Sequence, residues 1–104
     1  MHFKITSTQN PKVKSLLALQ KPRERRKQCL FIIEGLKEVQ MALNSGYTIG
    51  NIFFCDELID QEKVEKLFKA VNLLIPISKE VFNKLVVRED SGGVLAVVEM
   101  KTHS

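Results

Sequence analysis

Four short segments set the limits on what this chain can fold into: the apolar runs Leu30–Ile33 and Val94–Val98, Ile49–Cys55 with Ile52-Phe53-Phe54 at its centre, and Leu73–Ile77. Each has the length of a strand, and none approaches the ~20 apolar residues of a membrane-spanning helix. The segments between them carry apolar residues at helical spacing. Leu36, Val39 and Leu43, with Ala42 beside them, make one stripe; Val64, Leu67, Phe68 and Val71 make a second; Val81, Phe82 and Leu85 make a third. Strand, helix, strand, helix, strand, helix, strand is the order that builds a mostly parallel or mixed four-stranded sheet with helices on both faces. The expected fold class is therefore α/β, a three-layer α/β/α sandwich. With 104 residues the chain fits one domain, long enough to bury a core without staples.

Punctuation residues place the boundaries. Asn10 can accept from an orphan backbone amide as the N-cap of a first helix, and Pro11 fits the first helical position, where its missing N–H costs nothing. Val13, Leu16, Leu17 and Gln20 follow at helical spacing, with Lys14 and Lys21 two turns apart on one flank. Pro22 either ends this helix or opens a second short one over Arg23–Gln28. Leu30–Ile33 reads as a buried strand, after which Gly35 lets the chain turn into a helix over Leu36–Ser45. Asp60 is expected to cap a helix reaching Val71, and Ser78 to cap the last one. Pro76 puts the third strand at an edge or ends it early. Arg88–Gly93 is a turn before the final strand.

Charge divides the chain unevenly. The net charge is +4, yet residues 1–27 hold eight basic residues against Glu24 alone, a net of +7, and residues 28–104 are net −3. The division expected within the single domain of residues 1–104 is a basic N-terminal helix and tract over 1–27 and a sheet-and-helix core over 28–99. The tract puts five cations, Lys21, Arg23, Arg25, Arg26 and Lys27, into seven residues, directly before the first strand. Such asymmetry marks either a polyanion-binding edge or a solvated basic surface. Lysine and arginine bind phosphate by charge, and arginine adds a planar fork for two phosphate oxygens. No aromatic is interleaved in the tract, so structured RNA read by shape and backbone fits better than base stacking.

Catalytic chemistry finds little support. The histidines, His2 and His103, sit almost at the termini, where general bases are not expected. Cys29 and Cys55 are widely spaced thiols next to apolar runs, which argues against a zinc site, a disulfide framework or a nucleophile, and for a reducing, cytoplasmic setting. The N-terminus lacks an apolar stretch long enough for a signal peptide. No glycine-rich phosphate loop occurs; Ser91-Gly92-Gly93 is too short for one. No metal ligands are expected. Glu34 has two readings: it caps the helix behind Gly35 or pairs with a cation such as Lys37, or it anchors the basic tract through an arginine.

The run Ile5-Thr6-Ser7-Thr8-Gln9-Asn10-Pro11-Lys12-Val13-Lys14, then Arg25, then Phe31-Ile32-Ile33-Glu34-Gly35, resembles the N-terminal substrate-binding domain of SpoU-type (TrmH-like) RNA 2′-O-ribose methyltransferases. Gly93-Val94-Leu95-Ala96-Val97-Val98 matches the strand that closes that domain, and the resemblance spans residues 3–99. It implies the α/β fold shared with kink-turn-binding ribosomal proteins. It also implies a domain that binds ribosomal or transfer RNA and presents it to a following knotted methyltransferase domain. That domain, absent from this chain, binds S-adenosylmethionine, methylates a ribose 2′-hydroxyl and forms the homodimer; this chain is expected to hold no cofactor and to have no activity by itself. By position, Asn10, Lys12, Lys14, Arg25, Glu34 and Gly35 match the family pattern. Cys29 stands where a glycine is common, and Gly92 where a glutamine often precedes the last strand's glycine, Gly93.

The residues expected to grip phosphates are Arg23, Arg25, Arg26 and Lys27, extended by Lys12, Lys14 and Lys21. Asn10, Glu34, Gly35 and Gly93 are expected to hold the corners behind them. Two other readings stand beside this one: a stand-alone RNA-binding protein of ribosomal type, and a protein-interaction module that docks through its basic tract.

Overall fold

The computed structural model describes residues 4–69, 71, 73–87 and 91–101. His2, His103 and the first half of the expected Arg88–Gly93 turn lie outside the described residues. Nine elements follow one another: α1 (Pro11–Ala18), α2 (Pro22–Gln28), β1 (Leu30–Glu34), α3 (Leu36–Asn44), β2 (Ile49–Cys55), α4 (Gln61–Leu67), β3 (Leu74–Ile77), α5 (Lys79–Leu85) and β4 (Val94–Glu99).

The four strands form one mixed sheet in the order β1-β4-β2-β3. Only β2 and β3 run parallel; β4 pairs antiparallel with β1 on one side and with β2 on the other. The last strand thus lies inside the sheet, between two strands that are neighbours in sequence. This placement corrects the expectation of a buried first strand. With β4 in the interior, β1 becomes an edge, and all five of its residues are half-buried.

Successive side chains of a strand point to opposite faces, so adjacent residues feed different layers. Phe53, Ile75, Ile77 and Leu95 face α1 and α5, where Val13, Leu16, Val81, Phe82 and Leu85 cover them. Ile52, Phe54, Val94, Ala96 and Val98 face the other way, against Val39 of α3, Val64 of α4 and Phe68. Phe53 and Phe54 are each 1% exposed, one in either layer. Each contributes roughly 1.5–3 kcal/mol through burial of its ring. The result is the three-layer α/β/α arrangement.

The N-terminal residues belong to the same core. Ile5 is buried and forms a parallel bridge with Ile77, donating to Pro76 O at 3.0 Å and accepting from the Ser78 amide at 2.9 Å. Lys4 Nζ stands 2.8 Å from Asp56 Oδ1. Leu19, just past α1, is 4% exposed. Ser78 caps α5 through its hydroxyl, which accepts from the Val81 amide at 3.2 Å. Asp60 occupies the N-cap position of α4 without a side-chain bond, and α4 ends at Leu67, short of Val71.

Candidate nucleic-acid interface

Two prolines at first helical positions divide the basic N-terminal quarter into two helices. In α1, Asn10 Oδ1 accepts from the Lys12 amide at 2.8 Å, the expected N-cap. Val13 and Leu16 are buried, while Lys12 and Lys14 are exposed. At 100° per residue Lys12 and Lys14 lie on opposite flanks of the buried stripe. Because α1 ends at Ala18, Lys21 is not in this helix; it is the N-cap of α2. Lys14 and Lys21 therefore share no helical flank, contrary to the expectation from spacing.

Helix α2, Pro-Arg-Glu-Arg-Arg-Lys-Gln, buries no residue. Its cations divide by helical geometry. Arg23, Arg26 and Lys27 stand at i, i+3 and i+4 and form one cationic face on the outside of the helix. Glu24 and Gln28 lie on another side, where Gln28 Nε2 donates to Glu24 Oε2 at 3.1 Å. Arg25 turns inward. Its Nη1 donates to Leu19 O and Gln20 O, both at 3.0 Å, which ties α2 to the end of α1. A helix with no buried apolar residue has little else to fix its orientation. Arg25 is thus a clamp, and the face beside it is the one that meets solvent.

The step from α2 into β1 uses a strained residue. Cys29 has φ 56° and ψ 37°, the one non-glycine residue with positive φ among those described. That is the left-handed conformation in which glycine commonly ends a helix. The Met100 amide donates to Cys29 O at 2.9 Å and fixes the corner.

The corners expected to support the tract lie at the far end of β1. The Gly35 amide donates to Val94 O at 2.9 Å, and Gly35 has φ 110°. A β-carbon there would collide with the Glu38 carboxylate. Gly93 has φ 85°, and a β-carbon would stand 3.0 Å from Leu58 Cβ. Glu34 takes a partner that spacing did not suggest: both its carboxylate oxygens accept from the Val87 amide, at 3.0 and 2.9 Å.

Among the described residues, β1 lines part of three concavities. One, of about 350 Å³, opens between the end of α1, β1 and the segment after α5, with Arg25 and Glu34 in its wall. A second, of about 320 Å³, lies beside Lys12, Ser15, Gln28, Leu30 and Asn51. The third, of about 360 Å³, lies on the opposite side against α3, next to Phe31, Ile33, Met41 and Tyr47. There the Phe31 and Tyr47 rings meet edge to face at 5.9 Å, and Lys101 Nζ stands 4.3 Å from the Tyr47 ring centroid. Among the described residues, no group of three or more His, Cys, Asp or Glu side chains is placed to hold a metal ion, and no helix is long and apolar enough to cross a membrane. Sequence reasoning missed the first concavity because Leu19, Gln20 and Val87 lie outside regular elements. The proline at 22 was the available signal that the chain must bend there.

A small mixed sheet sandwiched by helices, with an outward cationic helix before its edge strand, makes this a domain of the α/β class. The chain belongs to the family described as the MRM3-like substrate binding domain, whose model matches residues 10–96. Among solved structures, it is similar to an RNA 2′-O ribose methyltransferase at 30% identity and a TM-score of 0.84, over 98% of this chain and 39% of that one. It is also similar to an AdoMet-bound rRNA methyltransferase from Sinorhizobium meliloti, at 26% identity and a TM-score of 0.76, over 97% of this chain and 38% of that one. The SpoU methyltransferase AviRb from Streptomyces viridochromogenes shares the fold at 19% identity and a TM-score of 0.78, over 92% of this chain and 37% of that one. The chain thus spans less than two fifths of the length of these proteins. No curated protein matches it.

Proposed function

We propose that this chain is the RNA-recognition domain of an S-adenosylmethionine-dependent RNA 2′-O-ribose methyltransferase that acts on ribosomal or transfer RNA in the cytoplasm. The observation that carries the reading is the outward face Arg23, Arg26 and Lys27 on a helix that Arg25 clamps to α1. Long cationic side chains on a fixed helix meet phosphates without first ordering the backbone beneath them. Lys12, Lys14 and Lys21 extend the field along the same quarter of the chain. The family membership and the likeness to an RNA 2′-O ribose methyltransferase support RNA as the polyanion.

In this scheme the domain holds structured RNA by its backbone and delivers a ribose to a methyltransferase domain of the parent protein, a homodimer. The cofactor belongs to that second domain. The test is fluorescence anisotropy of the chain with labelled structured ribosomal RNA fragments over a salt series, beside an Arg23→Ala/Arg26→Ala/Lys27→Ala variant. The variant should bind more weakly, with a salt slope shallower by roughly 0.7–0.9 for each phosphate it no longer neutralises. Equal affinity and equal slope would remove the face from the RNA site, and favour docking onto an acidic protein surface.

A further inference from the structure

The helical layer leaves one part of the sheet uncovered. Val97 lies in β4, with a strand on either side, and its side chain faces α1, yet it is only half-buried. Its partner across the ladder, Asn51 of β2, is half-buried too. One pair along on the same face, Leu95 and Phe53 are 0% and 1% exposed. Val97 and Asn51 form part of the floor of the cavity of about 320 Å³, whose walls are α1 and the end of α2. That volume falls in the range of sites for small ligands.

Asn51 breaks the apolar pattern of its strand. Successive residues alternate between faces, so Asn51 shares the α1 side with Phe53 and Cys55, where a covered sheet takes an apolar residue. A register shift separates it from Ile49, an irregularity of the kind that re-aims a strand side chain. Asparagine is short, so the face of the strand settles on which side its amide stands. No described residue hydrogen-bonds that amide. Lys12 and Ser15 of α1 stand in the wall, and no carboxylate does. The cavity thus offers a cation for an anionic group and an amide that donates and accepts side by side. The Watson–Crick edge of each of the four bases also carries a donor next to an acceptor, and it is open to protein only when the base is unpaired.

We infer that this cavity takes an unpaired nucleotide of the RNA, with its base edge on the Asn51 amide and its phosphate toward Lys12. The inference rests on the RNA-binding reading above and deepens it: the outward face of α2 holds the backbone of any strand, and the cavity between α1 and α2 adds a requirement for an unpaired residue. The selection is for an unpaired base over a paired one, not for one base over another, because an adjacent donor and acceptor is common to all four. Ser15 is exposed, so a large side chain there can close the mouth without disturbing the core.

The experiment uses hairpin RNAs of one stem, with a uridine loop or a 3-methyluridine loop, followed by anisotropy. The two carry equal charge and differ in the N3–H of the Watson–Crick edge, which the methyl group blocks. The uridine loop should bind the wild-type chain roughly fivefold to a hundredfold more tightly, the range of two neutral hydrogen bonds. Asn51→Leu, close in size but without the amide, should bring the two loops to equal affinity and leave binding of the 3-methyluridine hairpin unchanged. Ser15→Trp should do the same from the mouth, and it gives the answer where Asn51→Leu does not fold. If the two loops bind the wild-type chain alike, or if both variants keep the preference, the pocket assignment is wrong while the phosphate grip stands. If no hairpin binds at low salt, the RNA-binding reading fails. NMR of the Asn51 side-chain amide and the Val97 methyl groups then decides the pocket alone: shifts with uridine monophosphate but not with 3-methyluridine monophosphate keep it, and equal responses or none overturn it.

Discussion

The Glu34 carboxylate receives the Val87 amide on both oxygens, at 3.0 and 2.9 Å. The two residues are 53 positions apart, and the bond joins the end of the edge strand to the chain leaving α5. It closes one side of the cavity that contains Arg25.

Glu34→Gln tests this joint. Glutamine keeps one acceptor but turns an amide donor toward another donor in one orientation, and it loses the charge. A drop of about 1–2 kcal/mol in folding stability is expected from a charge-assisted bond near the surface. Urea denaturation measures it, with an unchanged m-value showing that the fold is retained.

Arg25 and Arg26 are adjacent in the sequence and opposite in consequence. Arg25→Ala removes two bonds to carbonyl oxygens and should cost about 1–3 kcal/mol of stability. Arg26→Ala exposes nothing and should change stability by less than about 0.5 kcal/mol while weakening RNA binding. Denaturation and anisotropy on both variants separate the clamp from the grip.

Cys29 is a place where the chain can be improved. The left-handed conformation costs a side chain about 1–2 kcal/mol, while the backbone freedom of glycine in the unfolded state takes back about 0.5–1 kcal/mol. Cys29→Gly should therefore stabilise by about 0.5–1 kcal/mol, raising Tm by about 2–8 °C in a domain of this size. Thermal unfolding followed by circular dichroism gives the answer.

Gly93→Ala should do the reverse. Its φ of 85° and the 3.0 Å approach to Leu58 Cβ leave no relaxed place for a methyl group. A destabilisation of roughly 1–3 kcal/mol is expected, the usual range for a strained backbone position. Gly46→Ala is the control, with positive φ but no atom within 4 Å of the added carbon, so strain without collision should cost less.

Local sequence signals were informative where a residue acts on its neighbours. Asn10 before Pro11, Ser78 before its helix and the alternation of Phe53 with Phe54 can be read from spacing, because caps and strand periodicity depend on residues a few positions away. Strand order cannot be read this way. Nothing near Val94 announces that it will pair with Glu34's strand and with β2 at once, and from that follows the edge position of β1. The candidate site was legible as a charge cluster, but not as a division of labour. Separating Arg25 from Arg26 requires knowing that α2 begins at Pro22, since one residue turns a side chain by 100°. The Glu34–Val87 bond, between a side chain and a distant loop amide, leaves no periodic trace.

The interior position of β4 also sets a schedule for the growing chain. As residues emerge in order, β1 appears early but its native partner is the last strand to be made. Until Glu99 has left the ribosome, β1 has no native ladder, and Leu30–Ile33 is a bare apolar edge on a nascent polypeptide. A strand of that kind invites pairing with foreign chains. Five cations directly upstream place like charges beside the segment through this interval, the arrangement by which flanking charged residues oppose such pairing.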